Sequence, residues 1–217
     1  MLLCARLLKY IFKKENISDE IYYDTLMDLK CKIDECKLLY GVVGTFMAGW
    51  YKAVYNCPII KLGRLEYEKV TIKYDYKNFE KCGDTVLGCH IPSCGALKKE
   101  DAEESLKKAY EFFNIKGNMV AQCHSWMMYP PHYELFPENS NLRMFYNLFD
   151  IVSQNESGNA DMWRIFYKQT DDFDDLPQNT VLQKSFARYL KAGNKMGDGI
   201  GILIFDGERI ITERNEH

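Results

Sequence analysis

Apolar positions in the first third of the chain recur at the three- and four-residue spacing of a helix. Leu3, Leu7 and Ile11 lie one turn apart, which predicts an amphipathic helix over 1–14 that packs on the body of the protein. Ser18, a residue type that caps helix starts, precedes Tyr22, Leu26, Leu29, Ile33, Cys36 and Tyr40, and Gly41 closes the run. That spacing predicts a long second helix. A shorter helical pattern covers 45–55 and stops at Cys57-Pro58, because the residue ahead of a proline is driven out of helical geometry. The expectation is a helical N-terminal segment over 1–60.

The period changes after that. Residues 62–74 are rich in β-branched and aromatic side chains, with Val70, Ile72 and Tyr74 on one face, and 85–91 reads as a second strand, the antiparallel neighbour of the first. Beyond the 92–97 loop, Leu106, Ala109, Tyr110 and Phe113 mark a helix whose first turns carry Glu100, Asp101, Glu103 and Glu104, the sign its dipole favours. A strand over 118–128, a helix over 140–152 and a strand over 162–168 follow. Thr180-Val-Leu-Gln183 has the form of a capping box and opens a helix that stops at Gly193. Residues 199–205 form a strand, and Asp206-Gly207 signals a hairpin before 208–212. Alternating strands and helices specify an α/β fold, a sheet covered by helices over 61–217, forming one structural unit with the N-terminal segment.

Composition narrows the partners. The 217 residues are 47% hydrophobic and 27% charged, ordinary for one compact core, and the formal net charge of −3 provides no field for a phosphate backbone or an anionic bilayer. Neither nucleic acid nor membrane is expected. Arg6 and Lys9 interrupt the apolar N-terminus, no small-residue cleavage site follows, and no segment reaches the roughly 20 apolar residues of a membrane span, so the expected location is cytoplasmic. Eight cysteines contain no C-x-x-C pair and read as reduced, buried small hydrophobes. Cys89-His90 and Cys123-His124 suggest metal ligands, yet adjacent strand residues face opposite ways, and no metal site is expected.

Candidate chemistry concentrates near two segments. Gly197-Asp-Gly-Ile-Gly201 precedes a strand and no helix, the reverse of a phosphate-cradling loop, and reads as a flexible turn entering an edge strand. Cys94-Gly95-Ala96-Leu97 links a strand end to a helix start, where backbone N–H groups can receive an anionic phosphate, with Lys98 and Lys99 beside it. For acid–base work the candidates are His90 at a strand end, Glu66 and Glu68 on the preceding strand, His124 and Ser125 on the central strand, and Tyr133 and Tyr146 beyond. No Gly-x-Ser-x-Gly elbow marks a serine hydrolase.

Taken in order, Leu62-Gly-Arg-Leu-Glu-Tyr-Glu68, His90-Ile-Pro92 with Gly95-Ala-Leu97, Ser105-Leu106, Phe112-Phe113, Cys123-His-Ser-Trp126, and Leu176-Pro177 with Thr180-x-Leu-Gln183 resemble the GNAT-like C-terminal domain of bacterial acyltransferase-domain proteins, over roughly 15–205. The resemblance implies a mixed, mostly antiparallel, twisted sheet flanked by helices, and transfer of an acyl group from coenzyme A to an amine. It implies acetyl-CoA or another acyl-CoA as co-substrate, held by Ile91, Pro92, Cys94, Gly95, Ala96 and Leu97. His90 or Glu66 would take the amine's proton and Tyr146 or Tyr133 would protonate the thiolate, with Ser125 on the neighbouring strand. The partners implied are a small-molecule or peptide amine and a second copy of the chain. Two departures stand out: the chain lacks Gln/Arg-x-x-Gly-x-Gly/Ala, and Ala96 stands where proline is expected. Relatives also carry a further N-terminal domain, for which the chain is expected to have no room. The competing reading is a GNAT-like binding or interaction module without catalysis.

Overall fold

The computed structural model describes residues 2–47, 49 and 59–214, and the helix expected over 45–55 falls largely outside them. Two helices lead the chain. In α1 (Leu2–Lys14) the buried positions among residues 5–14 are Leu8 and Phe12, while Leu7 is exposed and Ile11 half-buried, so over these residues the packing face is turned from the stripe the spacing predicts. Phe12 meets Tyr22 edge to face, and the Tyr22 hydroxyl donates to Ala5 O. The second helix, α2 (Asp19–Tyr40), starts with the Ser18 hydroxyl accepting from Ile21 N and ends at left-handed Gly41. Its buried stripe is Tyr22, Thr25, Asp28, Lys32, Glu35 and Cys36, which is mostly polar.

Contacts divide the chain into two compact units, Met1–Val120 and Ala121–His217. In the first, β1 (Ile60–Leu62), β2 (Leu65–Thr71) and β3 (Thr85–His90) form an antiparallel meander, and α3 (Lys99–Phe112) follows β3. The single strand expected over 62–74 is a hairpin, because Leu62 pairs with Leu65 and leaves a two-residue turn with Gly63 at φ +75°. Strand β4 (Met119–Ser125) carries the boundary.

The second unit holds β6 (Met196–Phe205) paired antiparallel to β5 (Asp150–Gly158), two short helices, α4 (Asn141–Tyr146) and α5 (Trp163–Phe166), and α6 (Val181–Lys191) with the Thr180–Gln183 capping box. Three expectations are corrected here. The helix over 140–152 ends at Tyr146 because Asp150 is already paired with Ile202. Residues 162–168 are not a strand: Met162, Trp163, Ile165 and Phe166 are buried at helical spacing, and the partner of β6 is the polar run 150–158. Gly197 to Gly201 lies within β6, paired with β5 across two register shifts, and β6 is an interior strand. The six strands form a mostly antiparallel sheet in the order β1-β2-β3-β4-β6-β5, flanked by helices, as the mixed α/β expectation requires. Past β6, Asp206-Gly207 does turn the chain, but 208–212 contributes only a bridge from Ile210 to Phe205.

Candidate active site

The first unit assembles its chemistry from one hairpin and one loop. Ser105 on α3 is fully buried; its hydroxyl donates to Leu62 O and accepts from Leu65 N at 3.1 Å, and the Tyr67 hydroxyl lies 3.1 Å away. This fixes the 63–64 turn on α3 and aims Arg64 at the loop after β3. Arg64 donates from Nε to Ala96 O at 2.9 Å, from Nη1 to Pro92 O at 2.9 Å and from Nη2 to Gly95 O at 3.1 Å. The Ser93 hydroxyl donates to Glu35 Oε1 on α2, and Lys61 Nζ donates to Cys94 Sγ at 3.3 Å. Within the loop Pro92 and Leu97 are buried, Ile91 and Cys94 partly so, and Gly95 (φ +74°) and Ala96 are exposed.

His90 ends β3 directly opposite Glu66, and its Nε2 lies 2.8 Å from Glu68 Oε1, one pleat along the same face. Gly88 makes that reach possible, since a Cβ there would stand 3.2 Å from Glu68 Cγ and 2.9 Å from a Val70 methyl. Both side chains of the pair retain some exposure.

Glu66 has a different environment. It is 1% exposed, and its Oε1 meets no hydrogen-bond partner among the described residues. Burial, reinforced by the Asp28 carboxylate, holds its carboxyl well above the usual range, and Lys32 and Lys61 oppose that rise. Lys32 is itself buried, with Nζ 3.3 Å from Glu35 Oε1 and 3.7 Å from Asp28 Oδ1. Hydrophobic periodicity does not find this cluster. The signal that could have found it is the run Thr25, Asp28, Lys32 and Glu35, polar residues at helical spacing beside an apolar stripe.

The other sequence candidates lie in the second unit. The Ser125 hydroxyl accepts from Met127 N and caps a 3-10 turn at Trp126–Met128. The Tyr133 and Tyr146 rings are 4.9 Å apart, with Arg143 over the first and Arg214 over the second, and burial pushes the Tyr146 phenol up. His124 pairs with Asp198 at 2.6 Å on an exposed surface. Among the described residues no group of three or more His, Cys, Asp or Glu side chains could hold a metal ion. No described helix is long and apolar enough to cross a membrane.

A model of a GNAT-like C-terminal domain matches residues 59–203. The chain belongs to the GNAT-like C-terminal domain family. A model of an N-acyltransferase N-terminal domain matches residues 1–57, the segment expected to be helical. No curated protein matches it. Among solved structures, an acyltransferase in complex with decanoyl-CoA and teicoplanin is 25% identical at a TM-score of 0.79, over 92% of this chain and 62% of that one. An acyltransferase in complex with CoA and 10C-teicoplanin is 23% identical at a TM-score of 0.78, with the same coverage. The GNAT-like chain therefore spans 62% of the length of these structures.

Proposed function

We propose that the chain is an acyl-CoA-dependent N-acyltransferase, with the 91–97 loop covering the pyrophosphate of the acyl-CoA and His90 as the general base. The observation that carries this reading is the His90–Glu68 pair at the strand end from which that loop departs. The family match and the acyl-CoA complexes of the structural neighbours support it. In the tautomer that donates Nε2–H to Glu68, Nδ1 is the basic nitrogen, and the carboxylate stabilises the imidazolium as it forms. The amine nitrogen bonds the thioester carbonyl carbon as its proton passes to His90. The C–S bond then breaks, and the imidazolium returns that proton to the thiolate, giving an amide and a free thiol.

His90 is preferred to Glu66 for the base role, because burial raises the Glu66 carboxyl well above the usual range and its side chain is closed off from solvent. The acceptor is a small-molecule or peptide amine, in keeping with the neighbour that holds decanoyl-CoA and teicoplanin. A cytoplasmic location, where CoA thioesters are made, belongs to the same reading.

Thermal unfolding with acetyl-, octanoyl- and decanoyl-CoA tests it. Ligand at a hundred times its dissociation constant stabilises the native state by about 2.7 kcal/mol. No shift at millimolar ligand rejects the proposal. That outcome supports the second reading, a GNAT-like binding or interaction module that has lost cofactor binding, which the missing Gln/Arg-x-x-Gly-x-Gly/Ala pattern favours, whereas binding without release of free thiol in the presence of an amine panel rejects the transfer step.

A further inference from the structure

We infer that Arg64 is a positioning residue that turns the 91–97 loop into a seat for the pyrophosphate of coenzyme A, an inference that rests on the acyl-CoA reading above. In a planar trans peptide group the C=O and the following N–H point in opposite directions. Arg64 engages the carbonyls of Pro92, Gly95 and Ala96. The N–H groups that share those peptide planes belong to Ser93, Ala96 and Leu97, and they point away from the guanidinium. Among the described residues no acceptor meets them. Outward N–H groups in a turn form the concave donor set that binds anions.

The remaining grips on the loop keep it in this attitude. Glu35 takes the Ser93 hydroxyl, Lys61 takes the Cys94 sulfur, and the buried Leu97 anchors the far end. Ser105 fixes the turn that carries Arg64. Helix α3, 14 residues long, begins just beyond the loop with its own N–H groups and Lys99, while the carboxylates of its first turn, Glu100 and Asp101, are exposed. The Gln/Arg-x-x-Gly-x-Gly/Ala pattern obtains such a seat from glycines along the loop. Here an arginine from the neighbouring hairpin imposes it.

The test compares coenzyme A with pantetheine, which lacks the pyrophosphate, by calorimetric titration of the full chain. Arg64→Lys keeps the charge but cannot fork across three carbonyls. It is expected to lower the affinity for coenzyme A relative to pantetheine by about tenfold, since each pair of lost hydrogen bonds is worth roughly that factor. Ala96→Pro deletes one of the three N–H groups, leaves every Arg64 bond in place, and installs the residue type expected at this position in relatives. It is expected to lower the same ratio to a smaller extent. Equal losses on both ligands, or an unchanged ratio in both variants, overturn the inference. Equal affinity of the wild-type protein for the two ligands also overturns it while leaving the acyl-CoA reading standing, whereas no binding of any acyl-CoA by the wild type defeats that reading itself.

Discussion

A Cβ atom at Gly199 would stand 2.1 Å from the carbonyl oxygen of Met128. The glycines at 197, 199 and 201 share one face of β6, and across that face lie the Tyr129 ring, the Met128 backbone and Phe149; a Cβ at 197 or 201 would come within 2.5 Å and 2.8 Å of them. The glycine row therefore lets the chain at Met128 and Tyr129 lie directly on the strand.

Gly199→Ala is expected to prevent folding or to destabilise the protein by more than about 3 kcal/mol, beyond ordinary overpacking, because backbone cannot step aside as a side chain can. Gly193→Ala, at φ +87° with open space around its Cβ, should cost far less. Urea melts of the two variants decide it, and a Gly199→Ala protein with a wild-type midpoint rules out the close approach.

The same strand shows what was legible beforehand. Residues 199–205 announce a strand through Ile202, Leu203, Ile204 and Phe205, and the capping box at Thr180 announces α6, since both signals are local. The spacing of Gly197 to Gly201 did not announce a packing surface, because the segment that needs it lies some 70 residues earlier in the chain. Strand β5 was hidden for a similar reason: its exposed, polar edge residues lack an apolar period, and only pairing with β6 makes them a strand. At the candidate site, residue types led to His90, Glu66, Glu68 and the loop. The register that joins His90 to Glu68 and the three bonds of Arg64 depend on the hairpin's fold, which no local pattern encodes.

His132 gives a prediction on acid stability. Its Nδ1–H donates to Trp126 O at 2.8 Å, its ring is enclosed by Trp126, Tyr129, Phe186 and Tyr189, and Nε2 has no partner among the described residues. Burial lowers its pKa to about 4. An unfolded histidine titrates near 6.5, so protons favour the unfolded chain: the stabilisation is complete above about pH 6.5 and is lost as pH falls toward 4. Between pH 7 and 4.5 the wild type should lose about 2 to 3 kcal/mol more than His132→Phe, read from denaturant midpoints. Parallel pH dependence in the two proteins would falsify the assignment.

His90 and Glu68 give a prediction on turnover. His90→Ala is expected to lower kcat by about 100-fold and Glu68→Gln by about tenfold, within the range of a lost general base and of a lost orienting carboxylate. Coenzyme A affinity should persist in both, because the loop's grips come from Arg64, Glu35 and Lys61. Thiol-release kinetics with titration of coenzyme A as the companion measurement separate the two effects, and a His90→Ala protein that turns over at the wild-type rate excludes the base assignment.

Glu66 tests the opposite linkage. Its carboxyl is raised chiefly by burial and next by Asp28, and Lys32 and Lys61 do not cancel the rise. A raised carboxylate pKa means that the native state holds a proton the unfolded chain releases, so stability is greatest below the ordinary carboxylate range and falls as pH climbs through the native value. Glu66→Gln keeps the shape and cannot ionise. It should therefore gain on the wild type as pH rises from 5 to 9, with chemical denaturation at each pH as the measure. If Glu66 were instead an ionised partner of Lys32 or Lys61, it would stay charged across the whole interval, and removing its charge would leave a buried ammonium uncompensated, so that the variant would be less stable than the wild type by an amount that does not change from pH 5 to 9. A gain that grows with pH, against a loss that stays constant, distinguishes a proton-holding carboxyl from a buried ion pair, and with it decides whether Glu66 could serve as a base at neutral pH.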